Sequence, residues 1–587
     1  MKSKIYLAIV ILAATITACE DFLDTRPQGV LSEEALQDAD GVQPLVIAAY
    51  SALAGSRSRN DTWWRPVTNW IQGEVRSDNA YKGGGGITDG WETHAYETFT
   101  GVYATIGLID DSWTRMYASV QRCNSALKVL NVLSEAELPN RQILIGEMKT
   151  LRAHYYFELA RQFRKIPYFD ENVVLEDYIH IRNDEFTRDE ILGKIADEFV
   201  LAASMLPETQ SETGRVNKYT ALAYAAKVKL YQAYEQNDNN QVVSIHKNLL
   251  NEVADLCDQV IQNPRYALNA DFQHLDLVEY ENGSESIFSV QHSVGDGSSD
   301  GGRINWSNLL NTPPGPGYSG DGFFLPSQNL INAYQTDANG LPLLDTYNDQ
   351  DYDVVTAPSG GGLTITNRDA NVDPRLDFTV GRIDIRWKTW PVAPMTIGWI
   401  RDRATYGFHC SKRFMVSPED PNMLSGWPWG ASSLNWQLIR YADVLLWKAE
   451  ALIEGDGDLN EAQELINQIR QRAKNSAYVK DWNDPEKDAA NYVIGLYPGE
   501  GWTKDYARKA LYHEYKIEKA MEGERFFDLV RWGIAEQVMN NYLATEKNRR
   551  AYYDNAVFTA GKDEYFPIPQ TQINFSGGLY TQNAGYE

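Results

Sequence analysis

The sequence predicts a mainly α fold, a scaffold of TPR-like helical hairpins carrying a large, irregular, loop-rich face with short strands. Three observations carry this. Apolar residues recur at steps of three and four along several stretches on either side of the middle of the chain. Between about 265 and 434 that period gives way to Gly, Pro, Asn, Asp and aromatic residues. No Pro/Ser-rich or charge-run linker divides the 587 residues. One body is therefore expected over 19–587, with a helical scaffold over about 30–264 and 435–545 and an irregular insertion over about 265–434.

Residues 1–18 read as a targeting segment. Lys2 and Lys4 give a positive start, and Ile5 to Ile16 form an apolar stretch of 12 residues, too short to span a bilayer as a helix. The stretch ends in Ile16-Thr17-Ala18-Cys19, small residues before a Cys as in the lipobox cut by lipoprotein signal peptidase. Cys19 is the expected acylated N-terminus, and several acyl chains give a stable anchor at about 0.8 kcal/mol per buried methylene.

Helices are expected over about Gln142–Phe163 and Asp189–Met205, and a hairpin from Ala221–Tyr234 with Val253–Ile261. Short strands are expected at Glu285–Gln291 and Leu363–Thr366, and the run Pro313-Pro314-Gly315-Pro316-Gly317 is a turn cluster. Leu438, Ala442, Leu445, Ala449 and Leu452 then line one helix face. Asp458, with Glu461 three residues later, caps a second helix lined by Ala462, Ile466, Ile469 and Ala473, the small Ala positions letting the pair approach closely. A further helix covers Asp505–Met521. Such hairpins must stack to bury their apolar faces.

Composition narrows the function. With 54 Lys+Arg against 80 Asp+Glu the net charge is -26, a surface that repels phosphate backbones, so nucleic acid is not an expected partner. Cys123, Cys257 and Cys410 cannot all pair and form no CxxC; buried free thiols are expected, with no structural zinc and no cofactor. Asp456-Gly457-Asp458 starts like a calcium loop but has Glu461 where Gly is needed and Asn467 where Glu is needed. Gly83–Gly86 lacks the Lys-Ser/Thr of a phosphate loop. No HExxH or GxSxG is present. Glu514, Glu518 and Glu522 share one helix face, and with Arg525, Asp528 and Arg531 they read as an ion-pair network at a helix junction rather than as catalytic carboxylates.

Tryptophan placement is the most informative chemical feature. Ten of 16 Trp, at 63, 64, 70, 91, 306, 387, 390, 399, 427 and 429, lie in the irregular regions. A flat aromatic ring matches the C–H face of a sugar, and Asp, Asn or Arg match its hydroxyl rim. A few of the ten are expected to be exposed platforms and the rest to hold the loops together.

An ordered series of motifs resembles the SusD/RagB family. It comprises Cys19-Glu20-Asp21-Phe22-Leu23-Asp24, Arg122-Cys123-Asn124, Leu151-Arg152-Ala153-His154-Tyr155-Tyr156-Phe157-Glu158-Leu159, Glu285-Ser286-Ile287-Phe288 and Arg440-Tyr441-Ala442-Asp443-Val444-Leu445-Leu446. Glu522-Gly523-Glu524-Arg525-Phe526-Phe527-Asp528-Leu529-Val530-Arg531-Trp532-Gly533 is the most specific stretch, and Phe566-Pro567-Ile568-Pro569 and Gln582-Asn583-Ala584-Gly585-Tyr586 complete the set. This chain departs from the pattern at Phe163-Arg164-Lys165, where relatives often have Phe-Gly, and at Glu514-Tyr515-Lys516. The resemblance implies a non-enzymatic, cell-surface lipoprotein of the outer membrane with four TPR units. It implies capture of oligosaccharide and delivery to a SusC-like TonB-dependent transporter. A peptide-binding subunit of a RagB-like complex is the alternative, and a surface glycoside hydrolase a third reading. Ligand residues in such proteins come from loops corresponding to about 76–95 and 300–325 here. The candidates are Asp78, Tyr81, Asp89, Trp91, Trp306 and Tyr318, with Trp399 in addition.

Overall fold

The computed structural model describes residues 38–55, 64, 67–297, 303–315, 317–357 and 362–586. Cys19 and the targeting segment lie outside the described residues. The principal helices are α1 (Ala39–Ser51), α2 (Trp91–Thr98), α3 (Gly107–Val132), α4 (Arg141–Phe163), α5 (Arg188–Met205), α6 (Lys218–Ala233), α7 (Lys247–Ile261), α8 (Tyr441–Glu454), α9 (Leu459–Asn475), α10 (Lys504–Glu518), α11 (Arg525–Arg531) and α12 (Ala535–Glu546). Each of α3 to α7 packs on its neighbour in sequence, α7 packs on α8, and α8 packs on both α9 and α10. The stack thus runs continuously across the irregular insertion.

Local chemistry sets the helix limits. Thr187 and Glu190 form a reciprocal capping box at the start of α5. The Asp458 carboxylate accepts the Asn460 and Glu461 amides at the start of α9. Leu438, read from the sequence as part of a helix face, lies instead in a strand, because Trp436–Arg440 pairs with Ser286–Val290 and α8 begins only at Tyr441. The helix expected over Asp505–Met521 ends at Glu518. At the end of α4, Arg164 carries the left-handed φ of 59° that Gly would adopt freely. Its guanidinium donates to Asn240 Oδ1 at 2.8 Å and to the Asn237 carbonyl at 2.9 Å, which offsets part of that strain.

The strands are short and form five two-stranded antiparallel pairs among the described residues. They are β1 (Ala80–Gly83) with β5 (Phe323–Pro326), β2 (Tyr234–Gln236) with β3 (Val242–Ile245), β4 (Ser286–Val290) with β10 (Trp436–Arg440), β6 (Val354–Thr356) with β7 (Thr364–Thr366), and β8 (Val380–Gly381) with β9 (Cys410–Ser411). Cys123, Cys257 and Cys410 are buried and unpaired.

Two features tie distant parts of the chain together. The first is a buried charge cluster. Glu518 binds the guanidinium groups of Arg375, Arg440 and Arg472, Glu514 binds Arg375 and Arg470, and Glu285 bridges Arg440 and Arg472. These side chains are essentially without solvent contact, so each charge depends on its partners. The second is a backbone crossing. Gly73, in one turn of π-helix (Trp70–Val75), meets Gly523, where a Cβ on Gly73 would stand 1.8 Å from the Gly523 carbonyl oxygen. The Glu74 carboxylate accepts the Gly523 amide at 3.0 Å.

Candidate functional site

The loop from Gly83 to Gly90 leads out of β1 into α2 and is tied down at several points. The Gly84 amide donates to the Gly322 carbonyl at 2.8 Å, and the Asp89 carboxylate accepts the Gly85 amide at 2.8 Å. Arg401 lies 3.4 Å from both Asp89 and Asp321 carboxylate oxygens and donates to the Asp321 carbonyl at 2.9 Å. Burial raises the Asp321 carboxyl above its usual range, and Arg401 opposes that shift. Gly90 has φ 71° and lies against the ring of Trp64, which meets Phe323 edge-on at 5.2 Å. Trp91 follows as the first residue of α2 and is 58% exposed. Its neighbours in sequence are Gly90 and Glu92.

A second loop presents two more indoles. Residues 423–432 turn back on themselves, with Met423 bridged to Ser432 and the Leu424 amide donating to the Ala431 carbonyl at 2.8 Å. Trp427 and Trp429, 60% and 52% exposed, stand at its tip. Trp306 packs beneath Trp427 with ring centroids 5.9 Å apart. Gly430 rests on Thr312, whose carbonyl accepts the Gly322 amide at 2.9 Å. A continuous strip, Gly84–Gly322–Thr312–Gly430, therefore joins the loop of Trp91 to the loop of Trp427 and Trp429.

The candidates from sequence separate into two groups. Asp89 and Trp91 lie at this surface. Trp306 is 6% exposed and supports Trp427 from below, so it is not itself a face open to a ligand. Asp78, Tyr81, Tyr318 and Trp399 are corrections, because all four are buried. The Asp78 carboxylate pairs with Lys516 at 2.8 Å and Arg525 at 2.9 Å, and these two cations hold it well below the usual carboxylate range against the opposing effect of burial. The Tyr81 hydroxyl donates to Glu546 at 2.7 Å. The Tyr318 hydroxyl donates to the Val416 carbonyl and accepts from Trp387, and its ring packs against Trp387 and Trp399. Trp399 is pressed beneath Gly315 of the Pro-Gly turn, where a Cβ would fall 2.3 Å from the indole. These aromatics belong to the main hydrophobic core on which the loops rest. Trp427 and Trp429 are missing from the candidates, although Gly426 and Gly430 flank them much as Gly90 flanks Trp91.

The described surface combines flat apolar rings with a carboxylate–guanidinium rim, a chemistry suited to binding a polyhydroxylated ring compound. A cavity lies elsewhere. It measures about 690 Å³ and is lined by Trp113, Tyr117, Phe169, Tyr178, Phe575 and Tyr580, between α3 and the C-terminal segment.

Comparison with known proteins agrees with the fold. A sequence model of the SusD family matches residues 284–586, and one described as starch-binding associating with outer membrane matches 73–230. The chain is 24% identical to SusD-like protein P2 of Formosa agariphila, over 99% of this chain and 100% of that protein. A solved laminarin binding SusD-like protein superposes with a TM-score of 0.64 at 22% identity, covering 94% of this chain and 100% of the other. Surface glycan-binding protein A from Bacteroides thetaiotaomicron in complex with laminarihexaose gives a TM-score of 0.60 at 20% identity, covering 93% and 99%.

Proposed function

This chain belongs to the SusD family, and we propose that it is an outer-membrane-associated, non-enzymatic glycan-binding protein whose ligand lies across Trp91, Trp427 and Trp429. The single observation that carries the reading is the exposure of these three indoles on loops joined by one braced strip. An indole held outward forgoes the stabilisation that burial of its apolar area would bring. Holding three of them outward, on glycine-flanked loops, leaves apolar area available to a ligand. The relatives that bind laminarin or laminarihexaose support a neutral oligosaccharide as the ligand class.

The test is calorimetric titration of the soluble form lacking residues 1–19 against neutral oligosaccharides, laminarihexaose among them. Stacking adds about 0.5–1.5 kcal/mol beyond area burial, itself about 25 cal/mol per Å². Trp91→Ala and Trp427→Ala should therefore each weaken binding by roughly tenfold or more, since about 1.4 kcal/mol is tenfold. Their melting temperatures should stay close to wild type because neither ring is in the core. Wild-type affinity in both variants would remove these loops from the site.

The same proposal includes acylation at Cys19 and delivery of the ligand to a SusC-like TonB-dependent transporter. The signal-like segment ending in Thr17-Ala18-Cys19 supports the anchor. Cys19→Ala should move the protein out of the membrane fraction, since the acyl chains are the proposed attachment. Sedimentation of that variant with membranes after a high-salt wash would refute the anchor.

A further inference from the structure

Directly beneath the Trp91 loop sits a buried cation that the binding surface does not itself use. Lys82 lies on β1 with no solvent contact. Its ammonium donates to the carbonyl oxygens of Gly83 at 2.9 Å, Gly86 at 2.9 Å and Asp89 at 2.5 Å. An ammonium has three hydrogens and no acceptor, so these three bonds use its whole capacity. The rings of Phe323 and Tyr406 lie 5.1 and 5.4 Å from the nitrogen, and cation–π attraction holds it there. The Lys82 amide is fixed in turn by Glu97 of α2 at 3.1 Å.

The arrangement explains a feature that sequence alone reads as a flexible tract. Residues 83–89 wrap a positive centre with carbonyls turned inward, as a loop wraps a metal ion, and Gly86, at φ 118°, takes a conformation few other residues tolerate. Without a cation, three converging carbonyl dipoles would repel one another in a space that excludes water. Desolvation lowers the Lys82 ammonium to about 8, offset by Glu97 and Asp89, so at neutral pH the group still carries its charge.

We propose that Lys82 is the positioning residue of the ligand-binding loop: its ammonium serves as an internal cation around which residues 83–90 close, and this presents the Asp89 carboxylate and the Trp91 indole to the glycan. The proposal rests on the reading of that loop as part of a glycan site. It differs from a merely structural role in locating the effect in one loop and in binding, with the helical stack untouched.

Lys82→Met keeps the length and apolar stem and removes the three donors. Backbone amides of 84–90 should then exchange with deuterium at least tenfold faster at pH 7, while amides of α4 and α6 exchange as in wild type. Affinity for the oligosaccharide identified by titration should fall at least tenfold. Lys82→Arg, which keeps a cation with several donors, should retain more affinity than Lys82→Met. Unchanged exchange at 84–90 in Lys82→Met would overturn the proposal, as would faster exchange with wild-type affinity. If Lys82→Met does not fold, Lys82→Gln, uncharged with two N–H donors, is read the same way. If the wild type binds no oligosaccharide in the panel, the glycan reading fails by itself, and the exchange measurement alone decides whether Lys82 holds the loop.

Discussion

Glu518→Ala should lower the unfolding free energy by about 3–5 kcal/mol, the usual cost of removing one partner from a buried ionic cluster. The carboxylate is fully buried and shared by Arg375, Arg440 and Arg472. Its removal leaves three guanidinium groups that cannot reach water with fewer carboxylates: Arg375 keeps Asp373 and Glu514, Arg440 keeps Glu285 and Glu522, and Arg472 keeps Glu285. Against a typical total of about 5–15 kcal/mol, such a loss is severe. Equilibrium urea unfolding at pH 7 reads it as a lower midpoint, and an unchanged midpoint would show that the neighbouring carboxylates carry the three arginines unaided.

The same cluster predicts acid sensitivity with a definite sign. The arginines hold Glu518 down to about 2, against an opposing push from burial, and Arg161 and Lys227 hold Glu524 down to about 2 in the same way. A depressed carboxylate contributes stability above its unfolded value of 4.5, and that contribution is lost as pH falls from there through about 2. Glu74 has the opposite sign, since burial raises it to about 7. Its contribution grows as pH falls from 7 to 4.5. Mild acidification is therefore tolerated, and the steep loss should begin below about pH 4.5. In Glu518→Ala that acid limb should be shallower.

Gly523→Ala should be almost as damaging, at about 3 kcal/mol or more. Gly523 has φ 81°, and a Cβ there would lie 2.1 Å from the Thr68 carbonyl oxygen. The left-handed backbone costs a non-glycine residue about 1–2 kcal/mol, and forced overpacking about 1–3 kcal/mol. Neither obstacle can swing aside, because both are main chain. Gly73→Ala lacks the positive φ but meets the Gly523 carbonyl, so it isolates the steric part. A Gly523→Ala protein with the wild-type melting temperature would show that the two segments separate at little cost.

These glycines also explain how much the sequence could reveal. The helices were legible because period and capping are local, as at Asp458 with Glu461. The most specific motif, from Glu522 to Gly533, was legible too, and its glycine now has a physical reason. The candidate surface was legible only in part. Trp91 stood out through its polar, glycine-flanked setting, and Trp427 and Trp429 carried the same signal. Asp78 and Tyr81 misled because they occupy an equally polar stretch, while the partners that bury them, Lys516, Arg525 and Glu546, lie more than 400 residues away along the chain. Trp399 and Tyr318 misled because a Gly/Pro-rich segment looks the same whether its aromatics point out or join the main core. The role of Lys82 was hidden for another reason: its partners are main-chain carbonyls, which every residue has.

The separation of Asp78 from Lys516 and Arg525, 438 and 447 residues, has a consequence in time as well as in energy. Closing so large a loop is only modestly dearer than closing a small one, since each doubling adds about 0.6 kcal/mol of entropy. Its effect falls on rate, because contacts between distant residues form slowly. The strand that carries the Trp91 loop thus has this footing only where the C-terminal helices are docked. The helical stack is built from pairs that are neighbours in sequence, whereas the footing of the Trp91 loop depends on residues of α10 and α11.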